Sequence, residues 1–446
     1  MKKWARNLRN VTSLGISAGY VILWAGGCAG TPAAVPAPVV DVNEPVAAPL
    51  VRVAVSVQAT EVYIGSSESF SLTDDDGVLA VGLENEVFNI RREKEQILVF
   101  TQGGEMMDTV EGMLKAEPRS ESGEIKVNGA HYPHRIEIVP GAEGGLNVIN
   151  VLDVETYLRA VVPLEIGHQE EGYLEAAKAQ AVAARTYVAG HLNQYPDEKF
   201  DLFSGVTDQV YGPMDSRHPI ADRAVAETRG MVLVHDGRPI RANYSSTCGG
   251  KTAGVEESFV GESLPYLRSH DDKVDGNVSC RLSRYYRWKE TWTGPELHRV
   301  LSRTIPRVLE KPWEGKWVLD VEAAETGKSG RIVRLRVTTD KGVYEVDKGA
   351  IRQVLENTTG RPLRSTAFEI DVWKKGERIR MMVARGRGWG HGVGMCQWGA
   401  MQLSQDGYEY DDILRHYYPG AKLKQWSPED DLSQDSVGSS REDTDG

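Results

Sequence analysis

At 446 residues, with 40% hydrophobic and 26% charged side chains, the chain is long enough to bury a large core or two packed lobes. Its 64 acidic side chains outnumber the 52 basic ones and leave a formal charge of −12, which argues against nucleic acid or an anionic membrane surface as the main partner. Part of that excess is a tail: residues 425–446, including Ser427-Pro-Glu-Asp-Asp-Leu and Arg441-Glu-Asp-Thr-Asp-Gly, are almost free of apolar side chains and are expected to be disordered.

Residues Met1 to Gly27 read as an export signal, with Lys2, Lys3, Arg6 and Arg9 first, an apolar stretch from Val11 to Trp24, then small residues. No other segment is long or apolar enough to span a bilayer. Ala25-Gly26-Gly27-Cys28 resembles the lipobox of bacterial lipoproteins, in which the cysteine is acylated and becomes the mature N-terminus. Ala25 stands where leucine is usual, which leaves ordinary signal cleavage as the alternative. Residues 1–28 are thus assigned to the signal with lipidation at Cys28, and the Ala/Pro-rich residues 29–50 to a semi-extended tether. The expected location is the membrane surface facing the cell envelope or periplasm.

From Val51 apolar residues alternate (Val51, Val53, Val55, Val57, then Val62 and Ile64), with turn signals such as Asp75-Asp-Gly77 between runs. Residues 51–140 are therefore expected to form a β-rich lobe without obvious chemistry. Residues 141–424 should form a mixed helix and strand core, giving an α+β fold unlike the helical fold of lysozyme. Gly144 to Val151 makes one more strand, and Asp153 can cap a helix with apolar positions Val154, Tyr157, Leu158 and Val161. Pro163 is expected to end that helix, leaving Glu165 on a short rigid connection.

Glu165 lies in the apolar run Val161, Val162, Pro163, Leu164 and Ile166. If that run packs inward, desolvation raises the carboxyl pKa, as a general acid near neutral pH requires. The alternative is a first-turn helix carboxylate meeting the helix dipole. An alanine-rich helix follows, with Leu174, Ala177, Ala181, Ala184 and Val188 on one side, and Lys178 and Arg185 set beside Glu165 or a ligand.

Gly205 to Gly212 reads as a polar loop, Ile220 to Thr228 as a short helix, and the runs flanking His235-Asp-Gly-Arg238 as a hairpin. A strand and helix from Trp288 and alternating strands over Trp317–Val346 and Phe368–Val383 come next. In Gly386-Arg-Gly-Trp-Gly-His-Gly-Val-Gly394, glycine at every second place, held extended, would line one face with bare backbone and project Arg387, Trp389 and His391 from the other. The series lacks the Lys-Ser/Thr of a phosphate loop and follows no dinucleotide-binding spacing. Helices from Met395 to Gly407 and from Asp411 to Pro419 close the chain.

The chain resembles the SpoIID/LytB family of cell-wall proteins from about Val51 to Leu423. The resemblance is carried by Asp153-Val-Glu-Thr-Tyr-Leu-Arg-Ala-Val-Val-Pro-Leu-Glu165, by Lys178-Ala-Gln-Ala-Val-Ala-Ala-Arg-Thr-Tyr187, by Thr207-Asp-Gln-Val-Tyr-Gly212, by Tyr244-Ser-Ser-Thr-Cys-Gly-Gly250 and by Gly390-His-Gly-Val-Gly-Met-Cys-Gln-Trp-Gly-Ala400. It implies a lytic transglycosylase cutting peptidoglycan glycan strands, with Glu165 as its single acid and base. It also implies the alternative of a non-catalytic glycan-binding enhancer of an N-acetylmuramoyl-L-alanine amidase. Lys178, Arg185, Tyr187, Gln209, Tyr211, Trp389, His391 and Gln397 are its candidate substrate contacts. For Arg185 an internal salt bridge, for Tyr187 a core position and for His391 a loop-holding hydrogen bond are the alternatives.

Cys396 can be paired with His391 as a thiol nucleophile, but a buried structural cysteine is the preferred reading. Cys248 and Cys280 are expected to form a disulfide. Some relatives bind zinc with cysteines and a histidine in this region; here Ser245 stands at the histidine's place, and His270 is the candidate nearby. No cofactor is required otherwise.

Overall fold

The computed structural model describes residues 48–167 and 170–426. The export signal, Cys28, most of the tether and the acidic tail from Ser427 lie outside them. No described helix is long and apolar enough to cross a membrane.

The fold is α+β. A seven-stranded sheet contains Leu50–Ala59, Phe70–Thr73, Val78–Gly82, Leu114–Pro118, Arg135–Pro140 and Leu146–Asp153, with Leu202–Phe203 added in parallel at one edge. A six-stranded sheet from Glu61–Ser66 to Ala130–Pro133 faces it. Alternate side chains of both sheets, among them Val62, Ile64, Phe70, Phe88, Ile136 and Val148, interdigitate in one apolar layer, as period-2 alternation demands. Leu146–Asp153 pairs with Leu50–Ala59 on one side and Arg135–Pro140 on the other, so the large sheet crosses position 140.

That strand runs directly into helix α1 (Val154–Ile166), whose first turn is capped by Asp153 accepting from the Thr156 N–H at 3.0 Å. Helix α2 (Leu174–Ala189) packs against α1 and is buried almost all round. Its alanines present little side chain, so neighbouring backbones approach closely. Around these two helices a second core gathers Val161, Ala181, Val188, Met395, Leu414 and Tyr418. A third core joins helix Gly294–Leu309 to strands Trp288–Thr293, Val318–Thr326, Ile332–Thr339, Val343–Asp347, Phe368–Lys375 and Arg378–Gly386.

Pro163 does not end α1. The helix continues through it to Ile166 and stops at Gly167, whose φ of 74° is left-handed and whose N–H bonds the Pro163 carbonyl at 3.1 Å. Proline removes one intrahelical hydrogen bond here, and burial of Val161, Val162 and Ile166 against the core outweighs that loss. Glu165 therefore sits in the last helical turn, and neither the rigid connection nor the first-turn carboxylate describes it.

The glycine series is not an extended ribbon either. Gly388, Gly390, Gly392 and Gly394 have φ of 76°, 101°, 76° and 68°, so positive φ recurs at every second residue. A Cβ on Gly392 would also overlap the Arg331 guanidinium, and one on Gly394 the Asn243 carbonyl. Gly392→Ala is accordingly expected to destabilise the protein by more than about 1 kcal/mol, read as a lower denaturant midpoint at unchanged slope.

Candidate functional site

Glu165 is held from two sides. Its Oε1 accepts the Val210 N–H at 2.8 Å and its Oε2 accepts Gln397 Nε2 at 3.2 Å. The same Gln397 nitrogen reaches Oε1 of the fully buried Gln180 at 3.3 Å. Three elements distant in sequence thus converge on one carboxylate: the end of α1, the Thr207–Gly212 loop and the first turn of the Gln397–Gln405 helix.

Burial raises the Glu165 pKa above the ordinary carboxylate range, although hydrogen bonds from Val210 and Gln397, and the nearby Tyr244 hydroxyl, partly oppose it. Its place at the negative end of the α1 dipole acts in the same direction as burial. The neighbouring Tyr244 hydroxyl is buried without a partner of ordinary hydrogen-bond geometry among the described residues. Such an arrangement favours the protonated carboxyl more than water does, while still offering its conjugate base two hydrogen-bond donors.

A raised carboxyl pKa makes the folded state bind more protons than the unfolded chain between the ordinary value of about 4.3 and the raised one. Ionised Glu165 therefore costs stability, and that cost grows as pH rises through this window. Glu165→Gln removes it, so the difference in unfolding free energy, variant minus wild type, is expected to increase from acid to neutral pH. Denaturant titrations at several pH values measure it.

Several candidate contacts instead fix the loop that presents Val210. Tyr187 donates its hydroxyl to Asp208 Oδ1 at 2.8 Å, and Asp208 Oδ2 accepts the Phe203 N–H at 2.8 Å. Gln209 accepts the Tyr157 hydroxyl at 3.0 Å, and Tyr211 donates to Asn150 Oδ1 at 2.6 Å. Gln209 and Tyr211 are buried. Each clamp leaves the Val210 N–H pointing at Glu165.

Arg185 does not reach that carboxylate. It is fully buried and makes a bidentate ion pair with Glu155, Nε to Oε1 at 2.8 Å and Nη2 to Oε2 at 2.7 Å. The Met231 carbonyl and the Gly230 N–H complete the pair's hydrogen bonds. Lys178 Nζ lies between Glu175 Oε1 at 2.7 Å and Glu227 Oε2 at 2.6 Å. Trp389 is partly exposed and meets the Tyr285 ring edge-on at 4.2 Å, whereas His391 packs against Phe259 and accepts the Val393 N–H on Nδ1. Burial, with help from the Arg331 charge, lowers the His391 pKa to about 3, so the imidazole is neutral at physiological pH.

Cys248 and Cys280 are free thiols with sulfurs 3.6 Å apart, in place of the expected disulfide. Cys396 and Asp272 join them, all four buried and with donor atoms within 4.8 Å of one another, a set that could coordinate a metal ion. His270 is outside the set: its Nδ1 faces the Thr252 hydroxyl at 3.0 Å. Sequence reasoning missed Asp272, and it quoted Gln180 and Tyr244 only as members of family motifs without giving either a role at Glu165.

The geometry defines a half-buried acid on a helix end, steadied by two amides and a clamped loop. Residues 142–235, which carry Glu165, α2 and that loop, match the family described as Stage II sporulation protein. Residues 274–394 match a family described as a domain of unknown function. Over 303 residues the chain is 28% identical to an uncharacterized protein of Brachyspira hyodysenteriae, covering 67% of this chain and 73% of that one. It is 27% identical over 292 residues to the amidase enhancer of Bacillus subtilis, covering 60% of this chain but 40% of the enhancer. Stage II sporulation protein D of Bacillus subtilis is 29% identical over 267 residues, covering 56% of this chain and 69% of that protein. The chain is thus a distant homologue of stage II sporulation protein D and of the amidase enhancer.

Proposed function

We propose that this chain engages peptidoglycan glycan strands and enhances an N-acetylmuramoyl-L-alanine amidase, the reading that its kinship with the amidase enhancer favours. In that role it works from outside the cytoplasm, tethered through an acylated Cys28. The direct test is amidase activity on purified cell walls with and without the full chain. Stimulation at saturating chain supports the reading, and an unchanged rate at every concentration rejects it.

One observation favours a second reading, that the chain itself cuts the glycan. A carboxyl whose pKa is raised by burial, held by Val210 and Gln397, suits a glycan-cleaving acid, and a binding module has no use for such a shift. In this reading Glu165 protonates the oxygen between N-acetylmuramic acid and N-acetylglucosamine. As carboxylate it then takes the proton of the sugar's own 6-hydroxyl, which closes a 1,6-anhydro ring. Water is not consumed, so a single carboxyl suffices where glycoside hydrolases use a pair. No step passes through a metal. Mass spectrometry of glycan incubated with the full chain tests it: 1,6-anhydro-muramic ends support cleavage, and intact strands reject it.

A further inference from the structure

We propose that Cys248, Cys280, Cys396 and Asp272 form a structural zinc site of three thiolates and one carboxylate. The donor set fits the ion. A tetrahedron with Zn–S bonds of about 2.3 Å places sulfurs about 3.8 Å apart, and Cys248 and Cys280 stand at 3.6 Å. A disulfide would need them at about 2.05 Å. All four donors are buried and leave no side open to solvent, the mark of a structural and not a catalytic site. The histidine implied by the family resemblance is replaced by Ser245, whose hydroxyl accepts the Gly392 N–H at 3.1 Å. The site is completed instead by Cys396, from far along the chain, and by Asp272.

The surroundings are those of an anionic, metal-holding cluster. The Cys396 sulfur accepts the Cys248 N–H at 3.2 Å, and the Cys248 sulfur accepts the Gly250 N–H at 3.3 Å. Asp272 keeps one oxygen, Oδ2, towards Cys248 at 2.9 Å, while His416 Nε2 and the Tyr417 hydroxyl orient Oδ1 at 3.2 and 3.0 Å. Such outer partners fix a ligand's direction and tune its basicity. Arg331 supplies the countercharge. It is fully buried, forms no salt bridge within 4 Å among the described residues, and bonds the Cys248 carbonyl at 3.4 Å. A buried cation without a directly paired anion is costly; Glu257 acts on this one from beyond salt-bridge distance, and three thiolates with a carboxylate around a divalent ion would leave further negative charge to balance it.

The ion would join the Tyr244–Gly250 loop, the Asp272–Cys280 hairpin and the start of the Gln397–Gln405 helix. Cys396 directly precedes Gln397, so the ion would also fix the amide that bonds Glu165. This proposal does not depend on either reading of the glycan chemistry.

The test uses the full chain carrying Cys28→Ser, so that only the three clustered cysteines of the chain's four remain. Protein purified under reducing conditions is expected to hold one zinc per chain by elemental mass spectrometry. Exchange with cobalt(II) is expected to give tetrahedral d–d bands and thiolate-to-cobalt charge transfer. Cys280→Ser should weaken zinc retention against a competing chelator by about 10-fold or more. The cobalt spectrum of the intact donor set decides the matter even where that variant fails to fold. Metal-free protein whose three thiols react freely after zinc is added would overturn the proposal. So would a mass deficit of two hydrogens located at Cys248 and Cys280.

Discussion

Glu165→Gln is expected to lower glycan cleavage by about 10²–10⁴-fold, the usual worth of a positioned general acid. The substitution keeps size and shape. Its amide oxygen can still accept the Val210 N–H that Oε1 accepts now, so the loop stays clamped. Strand binding should therefore survive while 1,6-anhydro ends disappear. Stimulation of a partner amidase, if it rests on binding alone, should also survive. Loss of both stimulation and binding in a folded Glu165→Gln protein would show that the carboxylate serves recognition and not proton transfer. A cleavage rate equal to wild type would remove Glu165 from the chemistry altogether.

Arg185→Met should be the most damaging single change to stability, costing about 3–5 kcal/mol. The loss does not come from the attraction alone. Glu155 would remain buried with a charge and no cation, and the Met231 carbonyl would lose its donor. Replacing both partners, Arg185→Met with Glu155→Leu, should recover much of that loss, because an apolar pair of similar volume carries no uncompensated charge. Urea unfolding of the four proteins in the cycle measures the coupling. If Arg185 instead met substrate, the single variant would unfold at the wild-type midpoint and lose glycan binding.

The periodicities of α2, of the hairpin formed by Met231–His235 and Arg238–Pro239, and of the N-terminal strands were legible because they are local. The apolar setting of Glu165 was legible in the run from Val161 to Ile166, but spacing alone left a helix-dipole carboxylate equally open, and the motif resemblance singled the residue out. Roles were harder to read than positions. Asp208, Gln209 and Tyr211 share one motif, but a motif records only that residues act together, and here they hold a loop by its side chains so that its backbone can act. Arg185 belongs to the same class, since its ion pair with Glu155 joins residues 30 positions apart that only the packing of α1 on α2 makes neighbours. The alternating glycines misled for a different reason. Spacing of two suggests an extended face, and nothing in the sequence distinguishes that from a left-handed φ at every second residue. Asp272 left no trace, because its partnership with Cys396 spans two separate regions of the chain.

The central strand Leu146–Asp153 has a consequence for how the protein can be handled. It is the mechanical root of α1, yet both of its pairing partners, Leu50–Ala59 and Arg135–Pro140, precede it in the chain. A fragment beginning near position 142 would keep Glu165 but present this apolar strand with two bare edges, which invites pairing between molecules. Such a fragment should aggregate. During folding, likewise, the helix end bearing Glu165 cannot gain a firm base until a contact spanning nearly the whole N-terminal region has closed, which places it among the later parts to consolidate.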